Sequence, residues 1–517
     1  MATELILRGF NPDPSILRVG EDYYVATSTF EWWPGVQIHH SRNLKTWRLV
    51  ARPLNRIDLL DLRGVPDSCG VWAPCLSWCE GKFWLVYTIV TRFDGAFKDT
   101  HNYVTTCETV DGHWSRRVYL NSSGFDPSLF HADDGRKWLV NMVWDHRPQR
   151  TPFGGIEMRE YSPAQAQLVG EAKRIFAGTA LGCTEGPHLY QHGGWTYLVT
   201  AEGGTGYNHA VTVARSRSLQ GPFEPDPAGP VIKSHQGSPL QRAGHASLVT
   251  TPQGELYMAH LCSRPLPDRP RSPMGRESAL TGVSLVDGWL RATDQDDAVA
   301  PAPVAEDRIH RFDGAELDEE FQWLRTPHAE DVFSLTERPG RLRLRGRDSL
   351  GSLYTQALLA RRQTEFAYEA ETELEFEPEN FQQMAGLAAY YNGHKHHYLY
   401  ISRDEGLGKH LAIMSCNGDL KLASTFPLGR ALVPLSVGPV KLRMTLRFET
   451  LQFSWSSEGR PWSDIGPPLD ASLLSDEAGK GEGANFTGAF VAVCAQDVSG
   501  QAWPADFTYL RYRTGLA

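Results

Sequence analysis

The sequence has little of what marks several large functional classes. No stretch of 18 apolar residues occurs, so no helical membrane span is expected. Positive charge is not in excess: 51 Lys and Arg stand against 61 Asp and Glu, a net charge of −10. That disfavours nucleic acid or an anionic membrane as partner, because both reward basic patches. The first residues, MATELILRGFNPDP, show no basic segment leading into a long apolar one. A cytoplasmic location is therefore expected, and with it a substrate small enough to be imported. Cysteine is sparse and unframed. Cys69, Cys75 and Cys79 lie close together, but no His accompanies them and no CxxC pair occurs, so they read as reduced and structural. No segment has the pattern of a long amphipathic helix.

What is present starts with length. A chain of 517 residues exceeds what one core usually serves, so two or more domains are expected. Its 41% hydrophobic and 22% charged residues are those of a globular protein. Aromatics are plentiful, with 15 Trp, 18 Tyr and 22 Phe. Core packing accounts for most of them, but aromatic faces also stack on sugar rings.

An internal repeat organises the first 300 residues. Five segments share a Pro-containing start, a short apolar run, a polar turn with Gly and an aromatic-rich strand. They are NPDPSILRVGEDYYVATST, WAPCLSWCEGKFWLVYTIV, FDPSLFHADDGRKWLVNMVW, EGPHLYQHGGWTYLVTAE and HASLVTTPQGELYMAHL. Aligned on Tyr24, Trp84, Trp138, Tyr197 and Tyr257, the intervals are 60, 54, 59 and 60 residues. The turns VGED, CEGK, DDGR, HGG and PQGE are hairpin signals. Each repeat has room for about four strands, the content of one propeller blade. The pattern predicts an all-β protein whose residues 1–300 form a five-bladed β-propeller. A sandwich or single barrel with accidental similarity is the competing fold.

The texture then changes. ATDQDDAVAPAPVAEDR, from Ala292, reads as a linker. Beyond it, RLRLRGR, FAYEAETELEFE, HHYLYIS, VKLRMTLRFETLQFSWSS and FTYLRYR alternate with period two. Residues 301–517 are thus expected to form a C-terminal β-sandwich. HKHH from His394 reads as a strand-edge cluster rather than a metal tract.

The repeats also line up chemistry. The starts of the five units offer Asp13, Trp72 with Ala73, Asp126, Glu185 and His245. In a propeller these positions are related by rotation about the axis and converge on one end of the central channel. Carboxylates crowded into one pocket repel, so at least one pKa should rise. A protonated carboxyl beside an ionised one is what glycoside hydrolysis needs. Each Asp taken singly could equally cap a turn. Arg276 could hold a sugar hydroxyl or a carboxylate, or form a surface ion pair. Phe30 and Trp144 are candidates for sugar-stacking walls or for packing between blades. His245 has no second metal ligand in its motif.

At these residues the chain resembles glycoside hydrolase family 43, and within it the two-domain β-xylosidases. The motifs are GFNPDPSI, WAPCLS, KDTHNYV, SSGFDPSLF, TEGPHLY, TAEGGTGYNHAVTVARS, AGHASLV and GRESAL, with FTGAFVAVCAQDVSGQAWPADFTYLRY near the C-terminus. The resemblance implies a five-bladed propeller and an exo-acting, inverting β-xylosidase working on xylo-oligosaccharides. It makes Asp13 the general base, Glu185 the general acid and Asp126 the carboxylate that tunes and orients the acid. The sugar pocket would include Phe30, Trp72, His245 and Arg276, closed from the sandwich by Phe507. Inversion implies carboxyls roughly 6.5–9.5 Å apart, leaving room for a water. No cofactor is required, although some relatives place Ca2+ near the pocket histidine, here His245. Such two-domain relatives are often oligomers, so a homo-oligomer is expected. The alternatives are an α-L-arabinofuranosidase of the same family, a non-catalytic sugar-binding propeller and an endo-acting xylanase.

Overall fold

The computed structural model describes residues 3–293, 300–418, 432–457, 459–479 and 485–515. Antiparallel strands build nearly all of it. Among the described residues the one α-helix is the single turn Ala329–Val332, and no helix is long and apolar enough to cross a membrane. All eight cysteines are free.

The chain forms two compact units. The first is Met1–Leu60, Cys69–Arg264 and Arg276–Pro301, and the second is Asp61–Ser68, Pro265–Gly275 and Ala302–Ala517. Two short segments of the first 300 residues therefore belong with the second unit, for polar reasons. Arg325 donates to Val65 O at 2.7 Å and to Asp67 Oδ1 at 2.5 Å. Ser272 N donates to Glu477 Oε2 at 2.9 Å, and Ala489 N to Pro273 O at 2.7 Å. Residues 294–299 of the expected linker lie outside the described residues.

The first unit is a five-bladed propeller. Each blade is an antiparallel sheet whose innermost strand begins at a repeat start: Ser15–Val19, Gly70–Cys79, Ser128–His131, Glu185–His192 and Gln241–Thr250. The repeat-defining aromatics all fall on the second strands, Asp22–Thr27, Lys82–Asp94, Lys137–Trp144, Trp195–Glu202 and Leu256–Ser263. There three of them fill the spaces between blades. Trp84 packs with Leu129, Leu139 and Tyr161, Tyr197 with Val213, Met258 and Trp289, and Tyr257 with Ile16, Tyr23 and Leu280. The fifth blade takes one strand from the far end of the sequence, because Glu4–Leu7 pairs with Glu277–Val286. This pairing ties the first blade to the last and closes the ring.

The second unit is the sandwich. One sheet runs Phe333–Ser334, Leu342–Arg345, Pro504–Thr514, Ala367–Glu375, Val440–Arg447, Thr450–Ser457 and Ser463–Asp470. The other includes Gly408–Asn417, Lys395–Asp404, Gln383–Asn392, Phe490–Asp497 and Ala357–Arg362 in that order. Period two shows in Val440–Arg447, where Val440, Leu442, Met444 and Leu446 are buried in alternation. The HKHH cluster sits at the start of a strand, with His394 in the turn before it. Lys395–Asp404 lies between two other strands, and His397 is buried, its Nδ1 at 2.7 Å from Ser415 Oγ.

Candidate active site

Four repeat starts share a backbone conformation, and in the fourth repeat that conformation falls on Gly186, one residue after Glu185. Asp13, Ala73, Asp126, Gly186 and His245 have φ of 56°, 36°, 55°, 57° and 47°. Four of the five are not glycine, so the left-handed region is strained for them, by about 1–3 kcal/mol each. Register shifts accompany three of them, between Trp72 and Cys75, Glu185 and His188, and Gly244 and Ala246. Such bulges turn a side chain out of the ladder direction. The strands continue from there along the axis. Residues Ser15–Arg18, Cys75–Trp78, Ser128–His131, His188–Tyr190 and Leu248–Thr250 line a central cavity of about 390 Å³. The strained positions therefore sit together at one end of the channel.

Asp13 is fixed from three blades. Its Oδ2 accepts from Ser28 Oγ at 2.7 Å and its Oδ1 from Arg276 Nη1 at 3.0 Å. Ser28 Oγ in turn accepts from Ala73 N at 2.8 Å, joining the strained positions of blades one and two. Blade five holds the loop through Asn11 N to Arg276 O at 3.0 Å and Ser278 Oγ to Asn11 O at 2.6 Å. Arg276 is 4% exposed and its guanidinium lies 5.2 Å from the Phe30 ring centre, so the surface ion-pair alternative does not apply.

Asp126, Glu185 and His245 complete the polar cluster. Asp126 Oδ2 accepts from Gly186 N at 3.1 Å. His245 Nδ1 stands 3.8 Å from Asp13 Oδ1 and 4.0 Å from Asp126 Oδ2. Burial pushes the Glu185 carboxyl up to about 8, and the Asp13 charge adds to this against Arg276 and Lys98. Asp126 is held well above the carboxylate range by burial first, then by Glu185 and Asp13. Burial also lowers the His245 imidazole, against the pull of Asp13. Glycine suits position 186 on two counts. Its φ is positive, and a Cβ there would meet the His245 ring at 3.0 Å.

Aromatic rings form a band beside these groups. Ring centres are 5.7 Å apart for Phe30 and Trp72, 5.5 Å for Trp72 and Phe125, and 6.2 Å for Phe125 and Trp144. Phe30 and Trp72 are buried and Trp144 half-buried. Lys98 Nζ sits 3.5 Å from the Phe93 ring centre and 3.7 Å from that of Trp144. Its burial lowers the ammonium to about 8, with Glu185 opposing. Lys98, Ser28, Phe93 and Phe125 were not singled out from the sequence. KDTHNYV and SSGFDPSLF carried Lys98 and Phe125 in plain view, but only the fold shows that the long hairpin Lys82–Asp94 and Phe97–Cys107 brings Lys98 against Trp144.

Phe507 is the residue expected to close the sugar pocket from the sandwich. It is fully buried on the sandwich strand Pro504–Thr514, opposite Leu342 and Leu374, which are fully buried too. A register shift between Thr372 and Leu374 puts Phe507 on the same inner face as Leu510 and Tyr512. Within the sandwich its strand neighbours are apolar and buried.

A calcium ion near His245 does not suit the donors present. Calcium takes about six to eight oxygen ligands. The two carboxylate oxygens nearest His245 Nδ1 already accept from Arg276 and from Gly186 N. Among the described residues no group of three or more His, Cys, Asp or Glu is arranged to hold a metal.

Residues 2–290 match the model for glycosyl hydrolases family 43. The chain belongs to this family. Residues 310–513 match the β-xylosidase C-terminal concanavalin A-like domain, a family 43 partner domain. The chain is 50% identical to xylosidase/arabinosidase 43B of Humicola insolens, over 98% of this chain and 97% of that one. It is 47% identical to a β-xylosidase of Bacillus subtilis (strain 168), over 99% of both. The crystal structure of a xylan β-1,4-xylosidase from Bacillus halodurans C-125 superposes with a TM-score of 0.94 at 47% identity, covering 99% of this chain and all of that one.

Proposed function

We propose that the chain is an exo-acting, inverting β-xylosidase that releases xylose from xylo-oligosaccharides. The observation that carries this is the pair of contrasting carboxyls at one end of the channel. Asp13 accepts from Ser28 and Arg276, and Glu185 is buried with its pKa at about 8. One is equipped as a base and the other stays protonated at neutral pH. Full-length similarity to β-xylosidases supports the choice of sugar.

In this reading Asp13 takes a proton from a water as that water attacks the anomeric carbon. The glycosidic C–O bond breaks, and the Glu185 carboxyl gives its proton to the departing oxygen. Xylose leaves with inverted configuration beside a chain shortened by one unit. Asp13 is then protonated and Glu185 ionised, and exchange with solvent resets both. Asp126 acts on the acid. It grips the amide of Gly186, the residue after Glu185, and its proximity keeps the two carboxyls from ionising together. Arg276 orients Asp13, and the aromatic band offers faces for the sugar. No organic cofactor enters the scheme.

An α-L-arabinofuranosidase activity on the same site is the second reading, favoured by the double name of the Humicola insolens relative. Two assays test the proposal. Proton NMR of the first product from a β-xyloside should show α-xylose, and initial β-xylose would mean retention with Asp13 as nucleophile. Nitrophenyl β-D-xyloside should be cleaved faster than nitrophenyl α-L-arabinofuranoside, and the reverse order would reassign the substrate.

A further inference from the structure

The segment just before Glu185 crosses from the third blade to the fourth, and one buried side chain holds it. Glu202 is fully buried at the end of strand Trp195–Glu202. Its carboxylate accepts from Thr179 N at 2.7 Å, from Thr184 Oγ1 at 2.7 Å and from Thr179 Oγ1. Gly203 N extends the attachment to Gly182 O at 2.8 Å. Thr184 is the residue before Glu185, and Ala201, before Glu202, pairs with Glu185 in the ladder. The packing leaves no slack. At Gly178, φ is 92° and a Cβ would meet Thr184 Oγ1 at 2.0 Å and Glu202 Oε1 at 3.1 Å.

We infer that Glu202, through Thr184 and Thr179, is a positioning residue that sets where the Glu185 carboxyl presents its proton. This rests on Glu185 being the general acid. Glu202 touches neither sugar nor water in this role. It fixes the backbone from which the acid projects, while Asp126 fixes the amide on the other side at Gly186. A shift of the acid of about 1 Å is enough to cost about 10²-fold in rate. A buried carboxylate serving three donors from one crossover is a costly way to hold an ordinary loop.

The test compares substrates that do and do not need the proton. Full-length Glu202→Gln, Thr184→Val and Thr184→Ser are assayed on xylobiose and on 2,4-dinitrophenyl β-xyloside, with Glu185→Ala as reference. Glu202→Gln should lose about 10²-fold on xylobiose but only about 3-fold on the activated xyloside. Thr184→Val should show the same selectivity at about 10-fold, and Thr184→Ser, which keeps the donor, should stay near the parent. If Glu202→Gln does not fold, the Thr184 pair decides. Equal losses on both substrates, or Thr184→Ser failing as Thr184→Val does, would overturn the inference. The acid assignment fails separately, if Glu185→Ala itself loses equally on both substrates.

Discussion

Asp126 in the propeller and Asp506 in the sandwich are almost equally buried, at 7% and 6% exposure, and the chain treats them in opposite ways. Asp506 accepts from Arg338 at 2.7 Å and from both arms of Arg343 at 2.8 and 2.9 Å. Burial alone would raise its pKa, but these hydrogen bonds outweigh burial and hold it below the usual range. Asp126 is met by an amide and by two further carboxyls, and its pKa is raised. The sandwich neutralises its buried charge and gains stability. The propeller gathers like groups, two of the three at strained positions, and their burial and mutual repulsion raise the Asp126 and Glu185 pKa values. One buried carboxylate is neutralised by its neighbours and the other is destabilised by them.

Mutation should separate the two regimes. In the propeller, Asp13→Ala and Glu185→Ala should each lower kcat on xylobiose by about 10²–10⁴-fold, with a melting temperature no lower than the parent's. Retained turnover with a collapsed melting temperature would place these residues among the stabilising ones. In the sandwich the pattern reverses. Phe507→Ala should cost about 3–5 kcal/mol of stability while KM for xylobiose stays near the parent's. A raised KM with unchanged melting would return Phe507 to the sugar pocket.

Stability against pH sharpens the contrast further. Asp506 has a lowered folded pKa, so its contribution is present above the unfolded value and is lost as pH falls through the folded one. Asp506→Asn should therefore cost about 1–3 kcal/mol at pH 7, with the gap to the parent closing in acid. Glu185 has a raised folded pKa. Ionisation in the unfolded chain then lowers the parent's stability progressively as pH climbs from the unfolded value toward about 8. Glu185→Gln should melt higher than the parent at pH 8, with the difference vanishing near pH 4. Thermal scans across pH check both signs.

Much of this was legible because the repeat carries its own register. Tyr24, Trp84, Trp138, Tyr197 and Tyr257 mark equivalent strands, and fixing their phase fixes where Asp13, Asp126, Glu185 and His245 fall. What escaped depends on contacts distant in sequence. Nothing local says that Glu4–Leu7 completes a blade built mainly from residues beyond 240, or that Asp61–Ser68 will be held by Arg325. Phe507 came from a motif resemblance, and a resemblance does not say that a register shift sets the residue opposite Leu374 on a buried stretch of its strand. Lys98 was missed because a cation between two rings is a tertiary fact.

The central claim is that burial among like charges keeps a catalytic carboxyl protonated at neutral pH. Difference infrared titration of the parent against Glu185→Gln reads that proton directly. The account predicts a carboxyl C=O band that disappears with a midpoint near pH 8. A midpoint of about 4.3, the value of an ordinary glutamate, would contradict it.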